Sequence, residues 1–163
     1  MAERGWFIVR VELVGRIDEE LHPPPGRDFL ASGGHSLLEL AVAIDTGFAR
    51  WDLGHLHLFR FPTGAEYVLG GGEDDDDTPS TESTRLGLLG LRKGTEFEYV
   101  FDLGDEWLHR CEVRAVDVDP EVEFGDEPLA PVPLFGWATS PISTDARPPT
   151  TNRARSSGRA PSR

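Results

Sequence analysis

The chain has 163 residues, 38% hydrophobic and 28% charged, with 29 acidic against 16 basic side chains and a formal net charge of −13. That length suits one domain with a real core, and the acid excess argues against general nucleic-acid binding or docking on an anionic membrane, both of which rest on Lys and Arg. A single cysteine, Cys111, excludes an internal disulfide framework and a four-cysteine zinc site.

No apolar run approaches the ~20 residues of a membrane span, and Met1-Ala2-Glu3-Arg4 does not open a signal peptide, so a cytoplasmic protein is expected. Residues 6–14 alternate, with Phe7, Val9, Val11 and Leu13 on one face and Arg10 and Glu12 on the other, which predicts a half-buried strand. His22-Pro23-Pro24-Pro25-Gly26 reads as a loop. Ser36-Leu37-Leu38-Glu39 carries the capping-box pattern, and Leu37, Leu40, Ala41, Ile44 and Phe48 follow at helical spacing, with Gly47 near the helix end.

Residues 55–61 alternate again, placing His55, His57, Phe59 and Phe61 on one face and Leu56, Leu58 and Arg60 on the other. Glu66 to Leu69 reads as a short partner strand. Gly70 to Ser83, with Asp74 to Asp77, reads as a flexible acidic loop, and Leu86 and Leu89 suggest one helical turn. A strand is expected from Glu96 to Asp102 with Phe97, Tyr99 and Phe101 together. After Gly104-Asp105 a second runs from about Trp107 to Val118, with Trp107, His109, Cys111, Val113 and Ala115 on one face. Two strands joined by a few residues containing Gly form a hairpin. The order predicts a single α+β domain over residues 1–137, a mostly antiparallel sheet with one main helix packed on one face.

The charge divides at that boundary. Residues 1–136 hold 11 basic and 28 acidic side chains, a net of −17, whereas residues 137–163 hold five Arg and one Asp, a net of +4. The tail, residues 138–163, is rich in Pro, Ser and Thr and has no large apolar residue beyond Ile142, so it reads as a disordered basic segment.

Several residues carry possible chemistry. His55 and His57 share a strand face at a spacing that chelates zinc, with His109 and Asp102 as further ligand candidates; packing beside Phe59 and Phe61 is the competing reading. Asp102, Asp105 and Glu106 surround a glycine turn close before His109. A carboxylate there would orient the imidazole, but a hairpin turn also requires Asp to cap it and Gly to supply positive φ. Asp74 to Asp77 lacks the Gly and terminal Glu of a calcium loop, and Cys111 reads as a buried structural thiol. No P-loop, dinucleotide fingerprint, nucleophile elbow or His-Glu-x-x-His helix is present.

Phe48-Ala49-Arg50-Trp51-Asp52-Leu53-Gly54-His55-Leu56-His57-Leu58-Phe59, followed by Tyr99-Val100-Phe101-Asp102-Leu103-Gly104-Asp105-Glu106-Trp107-Leu108-His109, resembles the paired signatures of the plasmid pRiA4b ORF-3-like family. In this chain Ala49-Arg50 stands where the family has glycine, Phe101 where it has tyrosine, and Leu103 where it has phenylalanine. The resemblance covers roughly residues 6–137. It implies the same α+β architecture, a context of plasmids and insertion elements, and no defined activity. Some members carry a resolvase label, yet this chain has no serine before Ser32 and its folded part is acidic, unlike a serine recombinase. The matched positions His55, His57, Asp102, Asp105, Trp107 and His109 are the candidate functional surface.

The resemblance also bears on the tail. Relatives continue Phe-Gly-Trp with Gly-Asp-Ile-Pro-Asp-Gln-Tyr-Gly-Arg, and one codon assignment for Ala138 to Ala146 gives that sequence once a single G is restored after the Trp137 codon. Residues 138–163 therefore read either as a frameshifted segment or as a natural basic tail.

Three functions follow as expectations. The first is a non-enzymatic interaction or accessory domain with a protein partner and no implied cofactor. The second is a metal-binding protein or metal-dependent enzyme using His55, His57 and His109 with Asp102 or Asp105. The third is a nucleic-acid-associated passenger of mobile DNA, acting through its tail or a partner.

Overall fold

Strict alternation along the first strand decides the layering of the molecule. In a computed structural model, which describes residues 5–49, 56–69 and 79–137, β1 spans Trp6–Arg16, with Val9, Val11 and Leu13 fully buried and Phe7 nearly so. His55, the Asp74 to Asp77 run and the tail from residue 138 lie outside the described residues.

β1 is central. It pairs with β3 (Gly26–Ser32) on one side and β7 (Trp107–Val116) on the other, while β2 (Glu19–Glu20) folds back on its end. With β4 (His57–Arg60), β5 (Glu66–Val68), β6 (Glu96–Phe101) and β8 (Val132–Trp137), the sheet runs β5-β4-β6-β7-β1-β3-β8. Every strand pairing among the described residues is antiparallel.

The main helix, α1, spans Leu37–Gly47 and presses Leu37, Leu40, Ala41 and Ile44 into the core formed with one sheet face. Its four N-terminal amides are all satisfied. Leu37 donates to the Thr84 carbonyl (2.9 Å) and Leu38 to that of Thr81 (2.9 Å), while Glu39 reaches the Ser36 hydroxyl (3.1 Å) and Leu40 the Ser36 carbonyl (3.1 Å). Gly47 is needed for space and not for a left-handed cap. A Cβ there would lie 2.8 Å from Cζ of the buried Phe29, and the positive φ falls instead on Ala49, at 58°. Gly47→Ala is therefore expected to lower stability by about 1–2 kcal/mol in urea unfolding, because overpacking outweighs the ~1 kcal/mol gain in helix preference. A stabilised variant would contradict this.

Two strands depart from the expected pattern. β3 carries Phe29, Leu30 and Ala31 in succession, all fully buried, so it shows no alternation. In β7 a bulge between the partners of Ile8 and Val9 shifts the register, so Val116, not Ala115, rejoins the core. A four-residue helix, α2 (Pro120–Glu123), capped by Asp119, precedes the final strand.

β8 is clasped to the body by its last residues. The Trp137 indole donates to the Pro24 carbonyl (3.2 Å), the Arg10 guanidinium stacks 4.9 Å above its ring, and Arg27 donates to its carbonyl (2.9 Å). The ring occupies the space of a Gly26 side chain, 2.1 Å from where a Cβ would sit. At the opposite edge, Val68 of β5 forms a bridge with Ser80, and the Thr81 amide donates to the Val68 carbonyl (3.0 Å).

Candidate functional site

Within the described residues, His57 to Phe59 of the first signature segment lie on β4, and the second segment spans the end of β6 and the start of β7. β4 pairs with β6 in the register His57–Phe101 and Phe59–Tyr99, and β6 pairs with β7 so that Tyr99 faces His109. Alternation turns His57, Phe59, Tyr99 and His109 toward α1, where all four are buried.

Inside this layer each polar group has a partner. The Tyr99 hydroxyl donates to Asp45 of α1, 2.9 Å from Oδ1 and 3.0 Å from Oδ2. His109 Nδ1 lies 3.0 Å from the Tyr99 carbonyl, so the ring donates there. His57 Nε2 lies 3.0 Å from the hydroxyl of the fully buried Thr81. Burial pushes the His57 imidazole down to about 4, holding it neutral. The Tyr99 ring stands between the two histidines, 5.8 Å from His57 and 5.1 Å from His109, and Phe48 meets His109 edge-on at 5.3 Å. Among the described residues no group of three His, Cys, Asp or Glu side chains converges as a metal site would require.

The remaining candidates sit at the β6–β7 turn. Asp102 accepts from the Gly104 amide through Oδ1 (2.9 Å), and its carbonyl accepts from the Glu106 amide (2.6 Å). Positive φ falls on Asp102 (60°) and Glu106 (52°), not on the glycine as the turn chemistry suggested. Gly104 instead allows close approach, since a Cβ there would lie 3.2 Å from Asp102 Oδ1. Asp105 is exposed. Trp107 is half-buried against the core, with the Arg16 guanidinium 5.3 Å above its ring. The structure thus brings His57 and His109 into one buried layer and leaves Asp105 apart at the surface. Cys111 is wholly buried and its thiol is pushed upward by desolvation, which makes it inert.

Asp45 and Thr81 are the polar partners that the motifs did not mark. One signal existed for Asp45: an acid in the last turn of a helix opposes the helix dipole and needs another reason to be there.

The opposite sheet face carries a different arrangement. Leu58, Val100 and Leu108 lie side by side across β4, β6 and β7, followed by a row in which Arg60, Glu98, Arg110 and Glu12 alternate in charge. Arg60 pairs with Glu98 (3.0 Å) and Arg110 with Glu12 (3.2 Å). A cleft of about 590 Å³ stands over the apolar row, walled by the end of β1 with β2 and by the β6–β7 turn. A second hollow of about 450 Å³ flanks Phe61 and Phe97, and the two share Arg60 and Glu98.

Comparison with known proteins agrees with this architecture. A solved structure of a protein of unknown function from Methanosarcina mazei Go1 superposes with a TM-score of 0.66 at 20% identity, over 84% of this chain and 71% of that one. At that identity the likeness shows the fold alone. No curated protein gives a significant match. The family model described as plasmid pRiA4b ORF-3-like protein matches residues 8–130, most of the chain and both signature segments, and the chain therefore belongs to the plasmid pRiA4b ORF-3-like family.

Proposed function

We propose that the protein is a non-enzymatic accessory domain that binds a protein partner through the sheet face α1 leaves open. One observation carries this reading. His57 and His109 are buried and hydrogen-bonded beneath the helix, while the opposite face presents an acid-rimmed cleft with an apolar floor. Exposed Ile17 and Leu103 flank the cleft over the Leu58–Val100–Leu108 floor, and apolar surface rimmed by polar groups marks interaction sites. The metal reading draws no such support, because the ring of Tyr99 separates His57 from His109. The lone buried thiol suits a cytoplasmic setting, and the family's plasmid context makes a protein of a mobile element the natural partner.

Site-specific photo-crosslinking in the natural host tests the assignment. Leu103 on the open face and Val42 on α1 are equally exposed, each at 41%. A benzoylphenylalanine at position 103 should trap a partner that the same probe at position 42 does not. No adduct at 103, or equal adducts at both positions, would overturn the reading.

A further inference from the structure

Resting on that reading, we infer that the partner presents an extended segment of about six residues in which apolar side chains alternate with Lys or Arg.

The shape argues for an extended occupant. Along β6 the outward positions Val100, Glu98 and Glu96 run from the larger cleft to the smaller hollow, a span of ~14 Å for four steps of ~3.4 Å each. The walls reach beyond that span at both ends, to Leu103 and to Gly64. Two hollows that meet at Arg60 and Glu98 and follow one strand fit a strand-like segment better than a compact molecule.

The charge argues for cations. Arg16 is paired with Glu19 (3.1 Å) and Arg60 with both Glu66 (3.1 Å) and Glu98 (3.0 Å), so the cleft's own bases already have partners. Asp18, Glu106 and Glu20, the last beside His22 (3.3 Å), line the rim, and across the sheet Glu96 stands directly opposite Glu112, which meets Arg114 (3.4 Å). Like charges directly opposite each other on a sheet repel, and since Arg114 already partners Glu112, an incoming cation would settle chiefly against Glu96. The apolar row provides the other half of the pattern, because Leu58 and Val100 stay largely buried at the cleft floor where an apolar side chain would rest. Lys and Arg beside it would snorkel to the rim acids.

Fluorescein-labelled hexapeptides test this on the full-length protein: leucine alternating with lysine and arginine, with serine, and with glutamate, plus a peptide of residues 147–163. Saturable 1:1 binding of the cationic peptide is expected in fluorescence anisotropy. The double variant Asp18→Lys/Glu106→Lys should weaken it at least tenfold, with an unchanged circular-dichroism melt. Glu121→Lys/Glu123→Lys, which alters the same net charge on the remote α2, should leave it within twofold. Equal losses in both variants would reduce the binding to bulk electrostatics and overturn the inference. So would the absence of binding to any hexapeptide. Preference for the serine or glutamate peptide would overturn the partner chemistry while the crosslink at position 103 stands. Tighter binding of the 147–163 peptide would assign the trough to this chain's own basic segment.

Discussion

Tyr99→Phe is expected to lower the unfolding free energy by about 2–3 kcal/mol, although it removes one oxygen and no carbon. The phenol proton is shared between the two Asp45 oxygens at 2.9 and 3.0 Å, inside a layer that water does not reach. A hydrogen bond to a carboxylate contributes about 1.5–3 kcal/mol, and a buried acceptor that loses a donor keeps its desolvation cost. The loss should fall well below the ~3–5 kcal/mol of a Tyr→Ala cavity, because ring packing against Phe59 at 4.8 Å is retained. Urea unfolding of Tyr99→Phe, Asp45→Asn and the double variant measures the coupling. A coupling near zero would mean that the bond does not hold α1 to the sheet.

Acid should unfold the protein earlier than its surface carboxylates require. The unfolded chain protonates His57 near 6.5, whereas the folded chain resists until about 4. Between those values the unfolded state binds more protons, so stability rises with pH through this window. The contribution is present in full above pH 6.5 and disappears as pH falls to 4, a loss of up to about 3 kcal/mol. His35, lowered mainly by its own burial, adds in the same direction. His57→Gln removes the titration and keeps a donor for Thr81. Its stability at pH 7 should lie near that of the parent, and its decline between pH 6.5 and 4 should be markedly shallower. Identical slopes would show that His57 takes up its proton without leaving Thr81.

Both effects arise from residues whose place in the fold was unevenly legible. Period-two alternation marked β1, β6 and most of β7, and Ser36 with Glu39 marked the start of α1, because in each of them one face carries most of the large apolar side chains. β3 left no such trace, since Phe29, Leu30 and Ala31 are all buried and the periodicity vanishes. β8 was hidden by Pro133 and Gly136, which local propensity counts against a strand. In the site, the signatures singled out His57, Trp107 and His109. Thr81, by contrast, lies in no periodic segment, and only the tertiary fold brings it to His57 from 24 residues away. The outer trough was still less visible. Alternation says which side chains share a face, but not that β7 lies between β6 and β1, which is what puts Glu12 beside Arg110.

The two edges of the sheet bear on how the protein survives at high concentration. An eight-stranded antiparallel sheet with an unpaired edge is a template for joining further strands from other molecules. Here one edge strand, β5, is already engaged by Pro79 to Thr81, whose backbone occupies the Val68 amide and carbonyl. The other, β8, is entered through Pro131 and interrupted by Pro133, each lacking the N–H that a new strand would need. Like-charged molecules repel one another as well, which further disfavours edge-to-edge joining of copies.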